Sequence, residues 1–310
     1  LFFFSASFQL KDAVAGSEYI FGVTIDAPWY DNDVEKNEIK DALASHTLKP
    51  TVRVVFDSCM YPVDKCVAAC EKCWDPSDYQ QPLENIASAA FIMGEILDSA
   101  YVKDYSVDEY IERTNEYLNR FEGIVDIWEI GNEVNGDWLG LTTDVVKKIE
   151  GAYKEVKNRG LVAALNLYYN KPCVDTDSEY EMFNWVNANI SDDMKDELDY
   201  VFFSYYEDDC NGVVHTQEEW QAVFDALHLI FPNSKLGFGE VGTKQCSKKA
   251  QYMNRYYHQL DIQGDYFVGG YFWWYYKQDC VPKTKKLWRT LETGIIEKTR
   301  CSLPWLMLLL

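Results

Sequence analysis

The sequence predicts one closed barrel of eight parallel β-strands, with a helix after each strand. Short apolar runs rich in β-branched and aromatic residues alternate with amphipathic stretches along all of the 310-residue chain, as expected of strands that are buried on both faces. No low-complexity linker divides the chain, which favours a single domain. An open, doubly wound sheet is disfavoured because no glycine-rich phosphate loop, G-x-G-x-x-G or G-x-x-x-x-G-K-[ST], follows any strand.

The predicted strands are short, and most of them run into polar or aromatic residues. They are Tyr19–Ile25, Thr51–Phe56, Phe91–Asp98, the first half of Ile124–Gly140, Leu161–Tyr168, Tyr200–Ser204, Lys235–Gly239 and Tyr266–Trp274. The predicted helices are Asp33–Ala44, Pro82–Ala90, Ser106–Phe121, Thr143–Asn158, Ser178–Asn189, Thr216–Pro232, Ser247–Leu260 and Thr284–Lys298. Ser106 with Glu109, and Thr216 with Glu219, are capping boxes that begin two of these helices.

The barrel is predicted to span residues 19–298. Residues 1–18 begin with the apolar LFFFSASF, which we interpret as the remnant of a signal peptide. Residues 299–310 form an apolar tail, too short to cross a membrane, which is interpreted as the start of a lipid-anchor signal. Nine cysteines are many for a cytosolic enzyme. The sequence therefore predicts a secreted protein, with attachment to the cell surface as an option.

Composition indicates which partners the protein binds. A formal net charge of −21 argues against nucleic acids and anionic membranes. Hydrophobic residues make up 47% of the chain, enough for a sizeable core. Aromatic residues make up 15%, more than a core requires, and fit surfaces that stack on sugars, although any single aromatic is more often a core residue. We therefore expect a carbohydrate partner, no transmembrane segment and no cofactor or metal.

Two glutamates are predicted to face each other at the mouth of the barrel. Glu133 follows the buried fourth strand, and Glu240 ends the seventh. An isolated glutamate at a strand end is usually a surface group, but functional residues of such barrels gather at the carboxyl ends of the strands. Cleavage of a glycosidic bond with retention uses two carboxyl groups about 5–5.5 Å apart, one as acid/base and one as nucleophile. The pair therefore predicts a glycoside hydrolase.

Other residues at the strand ends support this hypothesis. Arg53 lies within the apolar second strand and needs a carboxylate partner, because an unpaired buried charge costs several kcal/mol. Glu129 has the same strand parity as Glu133 and is the expected partner of Arg53 or of another buried donor; as the catalytic acid it ranks second. Trp29 after the first strand and Trp138 after the fourth are candidate sugar-binding aromatics.

These segments resemble the clan A retaining (β/α)₈ glycoside hydrolases, which include the family 5 cellulases and mannanases. The resemblance extends from about residue 19 to residue 298. The matching segments are residues 51–56, Trp128–Glu133, Phe203–Tyr206, Gly239–Thr243 and Gly270–Trp274. The resemblance implies that Glu133 is the acid/base and Glu240 the nucleophile. It further implies a set of substrate-binding residues, namely Arg53, Asn132, Tyr206 and Trp274.

Some positions depart from the family 5 pattern. Ser204 stands where those enzymes usually carry a histidine on the sixth strand, and the four histidines of the chain fall on predicted helices or their starts. The chain therefore resembles a divergent member of the clan. Adjacent strand residues point to opposite sides, so only one of Tyr205 and Tyr206, and one of Trp273 and Trp274, faces the substrate. Motif position favours Tyr206 and Trp274.

The cysteines suggest disulfides between neighbouring loops. Cys173 and Cys210 follow the fifth and sixth strands, and Cys246 and Cys280 follow the seventh and eighth, so each pair is a predicted disulfide. Cysteines 59, 66, 70 and 73 form either two more disulfides or a four-thiolate zinc site. Zinc is disfavoured because the paired C-x₂-C arms are missing. Cys301 is left without a partner.

The leading functional hypothesis is a retaining β-glycoside hydrolase that acts on an oligo- or polysaccharide by double displacement through Glu133 and Glu240. Two alternatives remain open. One is a carbohydrate-binding barrel without catalysis, which the presence of both glutamates disfavours. The other is a cell-wall transglycosylase that uses the same two glutamates.

Overall fold

The computed structural model describes residues 19–57 and 74–301, with only the backbone path described for residues 299–301. Eight parallel strands form a closed barrel in sequence order, and the eighth strand pairs with the first. The strands are β1 Ile20–Ile25, β2 Thr51–Val55, β3 Phe91–Glu95, β4 Ile127–Glu129, β5 Ala163–Tyr168, β6 Tyr200–Tyr205, β7 Lys235–Val241 and β8 Phe267–Trp273. The predicted (β/α)₈ barrel is therefore confirmed.

Helices surround the barrel, and those capped as predicted begin within a residue of the predicted start. They are α1 Asp33–Ala44, α2 Pro76–Ala87, α3 Val107–Phe121, α4 Thr142–Asn158, α5 Met182–Asn189, α6 Asp192–Glu197, α7 Gln217–Ile230, α8 Lys249–Met253, α9 Tyr276–Cys280 and α10 Lys286–Cys301. A 3₁₀-helix, Ser99–Asp104, follows β3, and a π-helical turn, Asn254–Gln259, continues α8. Ser106 and Thr216 are the N-caps of α3 and α7, each within a capping box.

Several element bounds differ from the prediction. Helix α2 begins at Pro76 rather than at Pro82, because a capping box of Asp75 and Asp78 starts it one and a half turns earlier. Strand β3 ends at Glu95, three residues before its predicted end. The 3₁₀-helix, α6 and α9 were not predicted, since five or six residues are too few to display a helical period.

The barrel interior has an apolar layer toward the amino ends of the strands and a polar layer above it. The apolar layer comprises Ile20, Met93, Ile127, Ala164, Phe202, Val268 and Phe272. The polar layer includes Arg53, Glu95, Glu129, Asn166, Ser204 and Glu240, all of which are buried. A second, larger apolar core lies between the outer faces of the strands and the helices. The polar layer therefore rests on a closed apolar floor, at the end of the barrel where strand-end side chains meet.

A β-bulge in β7 turns Glu240 into the barrel. Phe203 of β6 pairs with Phe238, but the next residue, Ser204, pairs with Glu240, so Gly239 is an extra residue. Regular alternation from Phe238, which packs in the outer core, would have turned Glu240 outward. A Cβ atom on Gly239 would lie 2.1 Å from Asn166 Oδ1, so only glycine fits at this position.

Candidate active site

Arg53 lies at the centre of a buried group that we call the Arg53 cluster, formed with Glu95, Glu129 and Glu240. Its Nε and Nη2 atoms donate hydrogen bonds to the two carboxyl oxygens of Glu129, at 2.6 and 2.8 Å. Its Nη1 atom donates to Glu240 Oε2 at 2.6 Å. Glu129 is thus the carboxylate partner that strand parity predicted. Because Arg53 is fully buried, it lies beneath the cleft and holds carboxylates in place.

Glu95 is a third carboxyl group beside Arg53, and sequence reasoning missed it. Its Oε2 atom lies 2.9 Å from Arg53 Nη2, but neither carboxyl oxygen makes an aligned hydrogen bond within the described part of the chain. Burial raises the pKa of Glu95 well above its usual range, although the charge of Arg53 opposes the shift. Burial therefore favours the protonated form of Glu95. Glu95 pairs with Glu129 across β3 and β4, so alternation along β3 turns its side chain into the barrel. That alternation could have predicted its place beside Arg53 from the sequence.

Glu240 is held from two sides. Besides the Arg53 hydrogen bond, the Tyr206 hydroxyl donates a short hydrogen bond to Glu240 Oε1. Burial raises the pKa of Glu240 to about 7, while Arg53 and the Tyr206 hydrogen bond act in the opposite direction. The Trp274 ring lies next to this group, with its centroid 5.7 Å from the Arg53 guanidinium carbon. Two donors therefore fix both carboxyl oxygens of a residue that is only 6% exposed.

The structure places the adjacent tyrosines and the adjacent tryptophans on opposite sides of the strands. Tyr206 is half-buried and reaches Glu240, whereas the Tyr205 hydroxyl donates to a backbone carbonyl beyond β6 at 2.8 Å. Trp274 is half-buried at the mouth. Trp273 is fully buried, and its indole nitrogen donates to Asp279 at 2.9 Å. Tyr206 and Trp274 thus accompany the carboxyl pair.

Glu133 follows β4 in a backbone conformation that is uncommon for residues other than glycine. Its φ is +48°, and the Gly136 amide donates to its carbonyl oxygen at 2.8 Å to close the turn. The Ser99 hydroxyl donates to Glu133 Oε2 at 3.2 Å. Burial and, second, the charge of Glu240 raise the pKa of Glu133 to about 8. The negative charge of Glu240 therefore disfavours ionisation of Glu133.

A network of amides and hydroxyls lies beside Glu133. Asn132 is 2% exposed, and its Oδ1 atom accepts a hydrogen bond from Asn166 Nδ2 at 2.9 Å. Asn166 also donates to Ser204 Oγ at 3.0 Å, and the Ser204 hydroxyl hydrogen-bonds Glu133. Sequence reasoning missed Asn166, although its inward parity on β5 was readable. Ser204 thus occupies a place beside Glu133, where the resembled family 5 pattern has a histidine.

Trp29 and Trp138 lie on the loops after β1 and β4. Trp29 stacks on Trp74, with ring centroids 3.5 Å apart and an interplanar angle of 16°. Trp138 contacts Tyr168 edge to face at 5.4 Å. Both tryptophans are half-buried and therefore leave part of each indole accessible. Their roles in sugar binding stay predictions.

One of the two predicted disulfides is confirmed. Cys173 and Cys210 form a disulfide between the loops after β5 and β6, with Cα atoms 5.0 Å apart. The predicted Cys246–Cys280 disulfide is wrong, because both cysteines are free. The unpredicted helix α9 buries Cys280 in the core, whereas Cys246 is exposed. The cluster of cysteines 59, 66, 70 and 73, with its zinc alternative, and the Cys301 side chain lie outside the described residues.

No group of three or more His, Cys, Asp or Glu side chains in the described part of the chain is arranged to hold a metal ion. No helix within residues 19–57 and 74–301 is both long and apolar enough to cross a membrane.

Comparison with known proteins finds similar structures but no similar sequences. No protein-family model and no curated protein matches the chain. An endo-1,4-β-mannanase from Rhizomucor miehei superposes with a TM-score of 0.58 at 12% identity, covering 92% of this chain and 95% of the mannanase. A GH1 β-glucosidase from Exiguobacterium antarcticum gives 0.56 at 11% identity, covering 93% and 99%. Saccharomyces cerevisiae Gas2, in complex with laminaritriose and laminaritetraose, gives 0.52 at 10% identity, covering 92% and 68%.

The neighbours are (β/α)₈ glycoside hydrolases of the clan that the sequence motifs resemble. At 10–15% identity, this likeness concerns the fold. Chemistry therefore has to be derived from the residues at the mouth of the barrel.

Proposed function

We propose that this protein is a retaining β-glycoside hydrolase, with Glu133 as the acid/base and Glu240 as the nucleophile. The observation that carries the proposal is that both carboxyl oxygens of Glu240 accept hydrogen bonds, one from Arg53 and one from Tyr206. A nucleophilic carboxylate must be ionised and fixed in direction before it attacks a sugar ring. Both donors favour the ionised form.

The acidities of the two glutamates support their separate roles. Burial and the charge of Glu240 raise the pKa of Glu133, whereas Arg53 and the Tyr206 hydrogen bond oppose the rise that burial causes in the pKa of Glu240. These surroundings favour the protonated form of Glu133 and the ionised form of Glu240. A retaining mechanism needs this difference, since one group must protonate the leaving oxygen while the other attacks the anomeric carbon.

The reaction proceeds in two displacements. Glu240 attacks the anomeric carbon and forms a glycosyl ester, while Glu133 gives its proton to the departing glycosidic oxygen. Glu133, now ionised, then takes a proton from water, and the water oxygen displaces Glu240 with a second inversion. Asn132 and Trp274 are assigned to the sugar at the cleavage point, and Trp29 and Trp138 to more distant sugars.

Arg53 has a different role in this proposal. Because its side chain is fully buried and three carboxyl groups surround it, Arg53 positions Glu240 rather than contacting the sugar. Tyr206 is assigned to both roles. Its hydroxyl donates to Glu240 and so positions it, and its half-buried side chain leaves a part that a sugar can contact.

The test is turnover of 4-nitrophenyl β-glucoside, 4-nitrophenyl β-mannoside and laminaritetraose by the purified protein. Glu240→Gln removes the nucleophile and should lower kcat by more than about 10³-fold. Glu133→Gln should abolish laminaritetraose cleavage but spare part of the first step with 4-nitrophenyl glycosides, because nitrophenolate leaves without a proton. Glu218→Gln, at an exposed position on α7, is the control for loss of a glutamate.

Two results would contradict the proposal. Activity of Glu240→Gln near that of the parent protein would remove Glu240 from the mechanism. An α-anomer as the first product, detected by proton NMR during the first turnovers, would show inversion. Oligosaccharides longer than the laminaritetraose supplied would assign transfer in addition to hydrolysis.

We further propose that the protein acts outside the cytosol. The Cys173–Cys210 disulfide supports this location, because disulfides persist in oxidising compartments. A cytosolic pool in which both thiols react with an alkylating agent would contradict it.

A further inference from the structure

We propose that Ser99 is a positioning residue for Glu133, and that its hydroxyl serves Glu133 in both halves of the reaction. Ser99 is the first residue of the 3₁₀-helix after β3 and is 5% exposed. Its Oγ atom lies 3.2 Å from Glu133 Oε2. This inference rests on the proposed acid/base role of Glu133 and adds a residue that the sequence motifs do not contain.

Ser99 occupies a rigid position. Asp98 Oδ1 accepts a hydrogen bond from the Ala100 amide at 2.8 Å and thereby caps the 3₁₀-helix. Lys148 of α4 is 3% exposed and donates from Nζ to the Val102 carbonyl at 2.8 Å. A buried cation thus anchors the short helix to α4, and the Ser99 hydroxyl is fixed next to Glu133.

The preceding end of β3 is anchored as well. Arg113 of α3 is 7% exposed, and its Nε atom donates to the Ile96 carbonyl at 2.9 Å. The same guanidinium donates to the carbonyls of Phe56 and Asp57 after β2, at 2.9 and 2.7 Å. The segment from the end of β3 to Ser99 is therefore tied to the neighbouring strand end, which limits how far Ser99 can move from Glu133.

A hydroxyl suits a group that changes its protonation state during each turnover. In the first displacement the proton of Glu133 faces the glycosidic oxygen, and the Ser99 hydroxyl donates to the other carboxyl oxygen, Oε2. In the second displacement Glu133 is a carboxylate, which only accepts, and Ser99 donates to it. A donor to the ionised form favours that form, so Ser99 strengthens Glu133 as an acid and makes its ionised state easier to reach.

Other charged and titratable groups also act on Glu133. They are Glu240 on β7, Arg53 on β2, Asp98 after β3, Tyr168 at the end of β5 and Tyr206 after β6. The charges of Glu240 and Asp98 raise the pKa of Glu133, whereas Arg53 and the hydroxyl of Ser204 lower it. Ser99, after β3, and Ser204, on β6, approach the same carboxyl group. Their hydroxyls act on its pKa in the direction opposite to the charges of Glu240 and Asp98.

Ser99→Ala should therefore move the alkaline limb of kcat/KM to higher pH, by roughly half a unit to one unit. With a 4-nitrophenyl glycoside, whose leaving group departs readily, we expect the second displacement to limit kcat and the loss of the donor to lower kcat about three- to tenfold. Ser99→Thr keeps the hydroxyl and should restore both values. Ser99→Cys, a weaker donor of similar size, should shift the limb in the same direction by a smaller amount.

Tyr205→Phe separates this role from a purely structural one. It removes a hydroxyl that donates to the Val213 carbonyl at 2.8 Å, away from Glu133, so it should lower thermal stability and leave the alkaline limb in place. An unchanged or lowered alkaline limb in Ser99→Ala would overturn the inference. The proposed function fails separately, if Glu133→Gln retains full activity on laminaritetraose.

Discussion

Tyr205 and Tyr206 are neighbours in the chain, but their hydroxyl groups serve different parts of the barrel. The Tyr206 hydroxyl donates to Glu240, whereas Tyr205 points to the outer core, where it packs edge to face on Trp220 with centroids 5.0 Å apart. Of these two consecutive tyrosines, Tyr206 therefore belongs to the candidate site and Tyr205 to the outer core. Alternation along a strand explains the difference.

Tyr206→Phe removes a hydrogen bond that lowers the pKa of Glu240. We expect the acid limb of kcat/KM to move to higher pH, because Glu240 then ionises less readily. A hydrogen bond to a charged group contributes about 1.5–3 kcal/mol, so kcat/KM should fall roughly 10–150-fold. The measurement is the pH profile of kcat/KM on a 4-nitrophenyl glycoside.

Tyr205→Phe is the matched control for this prediction. It also removes one hydroxyl, whose hydrogen bond to the Val213 carbonyl is 2.8 Å long, and it should lower stability without displacing either limb of the profile. Equal profiles for the two variants would show that the hydrogen bond from Tyr206 has no influence on Glu240.

Sequence reasoning at the residue scale succeeded where a motif or a parity rule applied. Strand parity brought together Arg53 and Glu129, and motif position placed Glu240 and Tyr206 beside them. It missed Glu95 and Asn166, which obey the same rule but lie on strands for which no motif was recognised. It missed Ser99 for another reason, since the position of a residue in a short 3₁₀-helix has no sequence period to reveal it.

At the scale of elements, the loop after β6 is tied to its surroundings at several points. The Cys173–Cys210 disulfide joins it to the loop after β5. Asp208 Oδ1 accepts hydrogen bonds from Gln245 at 2.8 Å and from Tyr252 at 2.9 Å. Glu207 pairs with Arg255. Tyr206 thus stands at the base of a loop with several independent restraints.

Replacing both Cys173 and Cys210 with alanine should lower the free energy of unfolding by about 2–4 kcal/mol, because the disulfide closes a loop with a sequence separation of 37. Activity at 25 °C should stay within about threefold of the parent value, since the other restraints on the loop persist. Urea unfolding and a standard turnover assay measure the two quantities.

Cys246→Ala is the control, because Cys246 is exposed and free. A stability loss in Cys246→Ala equal to that of the double variant would assign the effect to thiol chemistry in general. The two predicted disulfides rested on the same rule of adjacent loops. That rule succeeded for one pair and failed for the other because α9, too short to predict, directs Cys280 into the core.

At the scale of the whole molecule, one buried carboxyl group changes how stability depends on pH. Glu95 has a pKa well above its usual range in the folded protein, whereas in the unfolded chain a glutamate loses its proton near pH 4.3. Above that pH the unfolded state releases a proton that the folded state keeps. The contribution of Glu95 to stability therefore falls by about 1.4 kcal/mol per pH unit until the folded group also ionises.

Glu95→Gln cannot titrate and should escape this loss. The free energy of unfolding of Glu95→Gln relative to the parent protein should therefore rise from pH 4 toward neutral pH, at about 1.4 kcal/mol per unit. Urea unfolding at several pH values measures the difference, with the exposed Glu218→Gln as control. A difference that is independent of pH would show that Glu95 is ionised in the folded protein.

The fold itself was the easiest feature to predict, because eight repeats of strand and helix leave few topologies open. The local path of each strand was harder. Neither the early end of β3 nor the bulge in β7 leaves a mark in hydrophobic periodicity, and both decide which side chains face the interior.

The bulge at Gly239 means that the orientation of Glu240 is a property of the backbone more than of the side chain. A glutamate is easily replaced or restored by one substitution, but its direction depends on an additional residue in β7 and on a glycine that leaves room for Asn166. Transferring the site to another barrel would therefore require copying a strand path together with its neighbour on β5. Copying the two glutamates alone would transfer the residue types without the backbone geometry that brings their side chains together.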